Sequence, residues 1–242
     1  MEIAIMKSIV CCVDFGDMLS VTLPKNKHHF SQTMIVTSSR DAETQRLAAE
    51  HGVSCCVTDV FYDNGAAFNK GAAMEVGFDA LGRDGWICIW DADIVMPESM
   101  PMPVLSPGCL YGVPRRILDD PLQYSSEMDW GIARPTVNHE FQGYFQLFCG
   151  NRISPPWYGT TWQHAGGCDS DFLSRFPESK RVKLPFEVLH LGPAWGNWHG
   201  RVSPRIDTGA VAPEAEERAR QQAEMFDAQR KAGILPPIEE MG

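Results

Sequence analysis

The chain has 242 residues, 44% of them hydrophobic and 21% charged, which supports one globular domain with a substantial core and excludes a disordered chain. No apolar run reaches the length that crosses a bilayer. Acids outnumber bases 31 to 21, a formal net charge of -10, which argues against wholesale binding of nucleic acid or anionic lipid but leaves room for a local basic patch.

The N-terminus, MEIAIMKSIVCCVDF, runs from an apolar stretch into an acid with no small-residue cleavage site, so it reads as a first strand and not as a signal peptide. Residues 8–14 are continuously apolar, as a strand buried on both faces should be. A polar, basic segment (LPKNKHH) follows, and then a second strand over 33–37. Ser38, Ser39 and Asp41 offer caps for a helix (DAETQRLAAEHG) that ends at Gly52. A third strand is expected over 53–57, an amphipathic helix over 69–81 and a fourth strand over 86–90, with Asp91 at its carboxyl end. This alternation predicts an α/β domain with a mainly parallel sheet.

The second half is richer in Pro, Gly and aromatics, with candidate strands at 109–113, 140–148 and 186–190 and a short helix at 169–176. Nothing in it reads as a linker to a second domain. From Pro213 onward a charged helix carries a thin apolar stripe of Ala215, Ala219, Ala223 and Phe226, as a solvated docking helix would, and a Pro-Pro tail follows. Of the eight cysteines, Cys11-Cys12 and Cys55-Cys56 are adjacent pairs within apolar runs. Strand neighbours point to opposite faces, so such pairs do not bridge; there is also no CxxC and no zinc-type spacing. Reduced, buried thiols and a cytoplasmic setting are the expectation.

Open α/β sheets bind ligands beyond the carboxyl ends of their strands. No GxGxxG follows the first strand, and no P-loop, GxSxG elbow or deaminase pattern occurs. Asp91-Ala92-Asp93 instead places two acids at i and i+2 just past a hydrophobic strand. In extended chain both carboxylates lean to one side and can share a divalent cation that neutralises a diphosphate leaving group. A second such pair is Asp169-Ser170-Asp171.

The stretch VTSSRDAETQRLA, then FNKGAAMEVGFDAL, then WICIWDADIVMP resembles the nucleotide-sugar domain of GT-A-fold, metal-dependent glycosyltransferases in the family that includes cellulose-synthase-like enzymes. A D-x-x-T segment (Asp41, Thr44), an N-x-G helix start (Asn69, Gly71) and a strand-end D-x-D (Asp91, Asp93) follow in the family's order. GCDSDFLSR looks like the family's acidic acceptor-side segment, with Cys168 in place of its first acid, and VLHLGPAWGNWHGR resembles its His-containing closing loop. The resemblance spans about residues 8–205. It implies a Rossmann-like sheet flanked by helices, a smaller mixed acceptor-side sheet and a C-terminal helix. It also implies one catalytic domain over 1–212, with a nucleotide-sugar half (1–100) and an acceptor half with closing loop (101–212), followed by a helix and tail (213–242).

By the same resemblance, Asp14, Thr37, Asp41, Asp59, Asn69, Lys70 and Asp91 line the donor pocket and Arg201 reaches the diphosphate. Asp93 and His190 bind manganese or magnesium, with Asp91 as a further metal or ribose contact. Asp169, or failing it Asp171, is the base that takes the acceptor proton in an inverting reaction. The aromatics Tyr144, Trp157, Tyr158, Trp162 and Trp198 are candidates for stacking on the acceptor. The implied activity is transfer of a sugar, with UDP as the expected carrier, to an acceptor hydroxyl. The acceptor stays open between a glycan and, through the basic runs at 115–116, 175–183 and 201–205, a hydroxymethylated pyrimidine in DNA of the kind small phage enzymes modify. Two other readings are a nucleotidyltransferase of related fold, whose Gly-rich loop is missing after the first strand, and a non-catalytic homologue that binds a sugar or a partner.

Overall fold

In chain order the elements are β1 (Met6–Cys11), α1 (Gly16–Asn26), β2 (Gln32–Thr37), α2 (Ala42–Glu50), β3 (Ser54–Val57), α3 (Lys70–Leu81), β4 (Trp86–Asp91) and β5 (Ile94–Val95). They continue with β6 (Leu110–Gly112), β7 (Arg115–Leu118), β8 (Arg134–Pro135), β9 (Phe145–Cys149), α4 (Cys168–Ser174), β10 (Arg181–Lys183), β11 (Val188–Leu191) and α5 (Pro213–Lys231). The structure is a computed structural model that describes residues 5–137, 139–193, 201, 203–210 and 213–233. The side chains of Ala215, Ala219 and Phe226, three of the four in the expected stripe of α5, lie outside the described residues; Ala223 is half-buried.

Seven strands form one sheet in the order β10-β6-β9-β4-β1-β2-β3. Pairs β1/β2, β1/β4, β2/β3 and β6/β10 are parallel, and β9 runs antiparallel between β4 and β6. Both faces of the central strands are covered, which is why their sequences are apolar without a break. On one face Ile9, Ile87 and Ile89 meet Met74 and Phe78 of α3; on the other Val10 and Trp90 meet Leu19 and Leu23 of α1. A second sheet, β5-β11-β7-β8, pairs β11 with β5 so that His190 stands opposite Ile94. That pairing brings His190 beside the Asp91–Asp93 segment from almost a hundred residues away.

Three readings need correction. The basic segment after β1 belongs to helix α1, whose Leu19 and Leu23 are fully buried; Pro24 in its last turn lacks the N–H that would complete the ladder and masks the helix in the sequence. The strand expected over 140–148 begins only at Phe145, after a turn. All eight cysteines are free thiols, but Cys55 is exposed and Cys11 and Cys56 are partly so; the two in β3 lie on the edge strand of the large sheet.

The helix-start motifs have local structural causes. Asp41 caps α2 by accepting from the Thr44 N–H at 3.0 Å and the Thr44 hydroxyl at 2.8 Å, so the D-x-x-T spacing is that of a helix cap. Asn69 caps α3 by accepting from Ala72 N–H at 2.9 Å, and its amide donates to the Thr160 carbonyl at 2.8 Å. A Cβ on Gly71 would fall 1.9 Å from the Gly159 carbonyl oxygen. Glu75 completes the seat of this loop: one oxygen accepts from Trp157 and Tyr158 N–H, each at 2.8 Å, and the other from Arg83 at 2.8 Å. The start of α3 is thus pressed against residues 157–160. Gly71→Ala is expected to cost about 1–3 kcal/mol by overpacking, read as a lower urea midpoint at unchanged slope. A midpoint equal to wild type would show that this loop is not seated on the helix.

Candidate active site

Beyond the carboxyl ends of β1 and β4, adjacent with Cys11 opposite Asp91, lies a cavity of about 180 Å³. Its charged lining is Lys70, Asp91, Asp93, Arg115, Asp169 and His190. Five of those six were singled out in the sequence by motif; Arg115 was noted only as half of a basic pair. The short strand β7 positions it beside β11, with its guanidinium 4.3 Å from the Tyr144 ring centroid.

Lys70 extends from the first turn of α3 and donates to Asp91 at 2.8 Å. Burial works against its charge, but Asp91 together with Cys168, Tyr158 and Cys11 outweighs it and holds the ammonium well above the usual lysine range. Asp91 is therefore committed to Lys70. Among the described residues no group of three or more His, Cys, Asp or Glu converges as a metal site. Asp91, Asp93 and His190 all line the cavity, with Asp91 bonded through Oδ1 to Lys70 and the other two facing each other.

That pair has the chemistry of two metal ligands. Nδ1 of His190 lies 3.1 Å from the Gly192 carbonyl, a contact only a protonated Nδ1 can satisfy, which leaves Nε2 to face Asp93 Oδ2 at 3.5 Å. Asp93 is 8% exposed, and its Oδ1 is buried without a hydrogen-bond partner. Burial raises its pKa, opposed by His190. A buried carboxylate with an orphaned oxygen beside an imidazole nitrogen is a donor set that a divalent cation such as manganese would fit.

On the opposite wall, Asp169 in the first turn of α4 accepts from Gly143 N–H through Oδ2 at 3.0 Å, and it lines the cavity. Asp171 does not line it; its Oδ2 accepts from Trp162 Nε1 at 2.9 Å. Neither carboxylate caps the helix, whose N-cap is Gly167. Cys11 lines the floor, but burial pushes its thiol up to about 12, so it is an apolar wall and not a nucleophile.

Several expected donor contacts turn inward. Asp41, 7% exposed, holds the β1 turn by accepting from Asp14 N–H at 2.9 Å. Asp14 has φ +67°, a strained conformation for a non-glycine residue that this bond helps to hold. Asp59 is exposed and clamps Ser39, at 2.9 Å from its N–H and 2.5 Å from its hydroxyl. Thr37 is fully buried and cannot reach a ligand. Both polar groups of Asn69 are spent on the helix cap and Thr160.

Arg201 does not face the cavity either. It is 2% exposed and donates to both oxygens of Asp17 and to the carbonyls of Asp14, Ser203 and Pro204, which consumes its five N–H groups. The aromatic assignments divide. Trp157 and Tyr158 are fully buried, packed with Phe78 in the core, while Tyr144, 2% exposed, lines the cavity. Trp162 is half-buried beside α4, while Trp198 and most of the closing loop lie outside the described residues. The basic runs are paired with acids only in part: Arg116 pairs with Glu187, Lys183 with Glu140, and Arg205 with Glu43 and Asp207, while Arg175 and Arg181 donate to backbone carbonyls.

No protein-family model and no curated protein matches the chain. Solved structures do. Mannosyl-3-phosphoglycerate synthase from Rubrobacter xylanophilus superposes with a TM-score of 0.51 at 13% identity, over 98% of this chain and 77% of that one. A mycobacterial protein gives 0.51 at 14% identity, over 81% and 70%. Glucosyl-3-phosphoglycerate synthase from Mycobacterium tuberculosis, in complex with Mn2+, UDP-glucose and phosphoglyceric acid, gives 0.50 at 13% identity, over 96% and 81%. At these identities the likeness is one of fold: the chain has the GT-A-type fold, with the mainly parallel large sheet and smaller mixed sheet the sequence led us to expect.

Proposed function

We propose that this chain is a divalent-metal-dependent glycosyltransferase that moves a sugar from a nucleotide-sugar, with UDP as the carrier, to an acceptor hydroxyl. The observation that carries the reading is the Asp93–His190 pair, buried, oriented by Gly192 and left with an orphaned oxygen, at the carboxyl end of the central strands. The manganese and UDP-glucose held by a structure of the same fold support it.

In this reading Asp93 and His190 hold the metal. When bound, it neutralises charge on the diphosphate and so assists departure of the nucleotide. Lys70, fixed by Asp91, adds a second positive charge at the same place. The acceptor enters between the diphosphate and Asp169. Its hydroxyl oxygen forms the new bond to C1 of the sugar as the bond from C1 to the phosphate oxygen breaks, and that oxygen keeps the electron pair. The hydroxyl proton passes to the Asp169 carboxylate, whose Oδ2 is held by Gly143 N–H. Asp171, turned to Trp162, takes no part.

Arg115, in the cavity wall with Asp169, supplies a cation that an acidic acceptor would need. Phosphoglyceric acid in the complex of similar fold is a molecule of that kind. The test is incubation with radiolabelled UDP-sugars, Mn2+ and a panel of small hydroxy acids, oligosaccharides and hydroxymethylated DNA. Label is expected in the hydroxy acids, and release of UDP without label in any pool would count against transfer. Asp169→Asn is expected to lower kcat by about 10²–10⁴-fold with little change in donor KM. Turnover within a few-fold of wild type would remove the base and point to retention of configuration.

A further inference from the structure

A second cavity, of about 760 Å³, opens on the same side of the large sheet. Its body wall includes Asp14, Arg40 and Tyr62, from the turns after β1, β2 and β3. Its other wall is helix α5, through Pro213, Glu217 and Gln221. The two cavities lie either side of one turn: Val13 and Phe15 line the first, and Asp14 between them lines the second. The segment before α3 divides the same way, with Phe68 and Lys70 on the first and Ala66 and Ala67 on the second. A ligand crossing this turn would place its diphosphate beside Lys70 and a further group in the larger space.

That further group is defined by what faces it. The Arg40 guanidinium lies 4.5 Å from the Tyr62 ring centroid, and the loop bearing Arg40 is held by the Asp59–Ser39 clamp. This stacked pair makes a flat, cationic platform of the kind that carries an aromatic base. Asp14 and Glu217 are acceptors, matched to the N–H of a base or the hydroxyls of a ribose. Glu217 is held in place: its Oε1 accepts from Gln221 Nε2 at 2.8 Å and from Arg220 Nη2 at 2.6 Å, and its Oε2 accepts from Arg220 Nε at 2.9 Å. The helix is tied to the body by Gln229, whose Oε1 lies 2.8 Å from His164 Nε2, one residue before Ala165 of the first cavity.

We infer that α5 is part of the donor site: it closes the nucleoside pocket from outside, and Glu217 and Gln221 face the bound nucleoside. The inference rests on the nucleotide-sugar reading above and adds to it a recognition element from the C-terminal helix.

Its test uses the full chain with UDP and Mn2+ in a calorimeter. Gln221→Trp fills the cavity from the exposed side of α5, and Glu217→Ala removes the carboxylate. Both are expected to weaken UDP by roughly tenfold or more at unchanged melting temperature. Amide exchange over 213–231 in the wild type is expected to slow when UDP binds. UDP affinities within twofold of wild type for both variants, with exchange in α5 unaltered by UDP, would overturn the role of the helix. A wild-type chain that binds no nucleoside diphosphate at all would overturn the donor reading itself, a result distinct from the first.

Discussion

Asp93→Asn is expected to raise the thermal stability of the metal-free protein while abolishing sugar transfer. The side chain is 11% exposed, Oδ1 has no hydrogen-bond partner, and Oδ2 lies 3.5 Å from His190 Nε2. Without a cation, burial outweighs the opposing charges of His190 and Arg115 and raises the Asp93 pKa above the ordinary 3.8. The sign follows from proton counting. Between 3.8 and the raised value the folded chain holds a proton that the unfolded chain has lost, so stability falls as pH rises through that window and stays reduced above it. Asparagine removes this fall. A gain of about 1 kcal/mol would raise the melting temperature by about 2–4 °C in a chain of this size. Activity should drop by about 10³-fold or more with the loss of a metal ligand. Melts in EDTA and in Mn2+ across pH 4–8 read both effects: manganese should stabilise the wild type and leave the variant unmoved. A variant less stable than wild type in EDTA would show that Asp93 is structural.

Arg201→Met is expected to be the most damaging substitution to the fold, at about 3–5 kcal/mol. Arg201 and Asp17 are each 1% exposed at the side chain, and Asp17 also accepts from Ile206 N–H at 2.6 Å. Losing the guanidinium strands the Asp17 carboxylate and leaves three backbone carbonyls, on Asp14, Ser203 and Pro204, without their donor. The Arg201 guanidinium also lies 5.0 Å from the Phe15 ring centroid, so the β1 turn loses its backing. The double variant Asp17→Leu with Arg201→Met should recover part of the loss, because no charge is then left alone in the interior. Urea unfolding of the two singles and the double measures this. Equal losses for the single and the double would show that the penalty is lost packing and not a stranded charge.

These two residues also show what the sequence discloses and what it hides. The central strands were legible because burial on both faces writes a continuous apolar run, and α2 and α3 because Asp41 and Asn69 are caps with a helix behind them. Asp93 was legible because it stands two residues past a strand-end acid. The role of Arg201 was not, since its partner lies 184 positions away and an arginine after a glycine-rich loop looks the same whether it faces a ligand or an acid. Trp157 and Tyr158 were misplaced for a related reason: aromatic composition does not say which side of a sheet a ring joins, and the Glu75 seat that draws them into the core is a contact across more than eighty residues. Of the small sheet only β11 was legible as a strand; β5, β7 and β8, of two to four residues, carry no period. Arg115 went unseen as a site residue with β7.

The most direct test of the central claim is a titration of UDP into wild type and Asp93→Asn, each with Mn2+ and with EDTA. A nucleotide-sugar site built on Asp93 and His190 predicts binding by the wild type in manganese, weakened by roughly tenfold or more when either the metal or the carboxylate is removed. The same UDP affinity in all four titrations would contradict it.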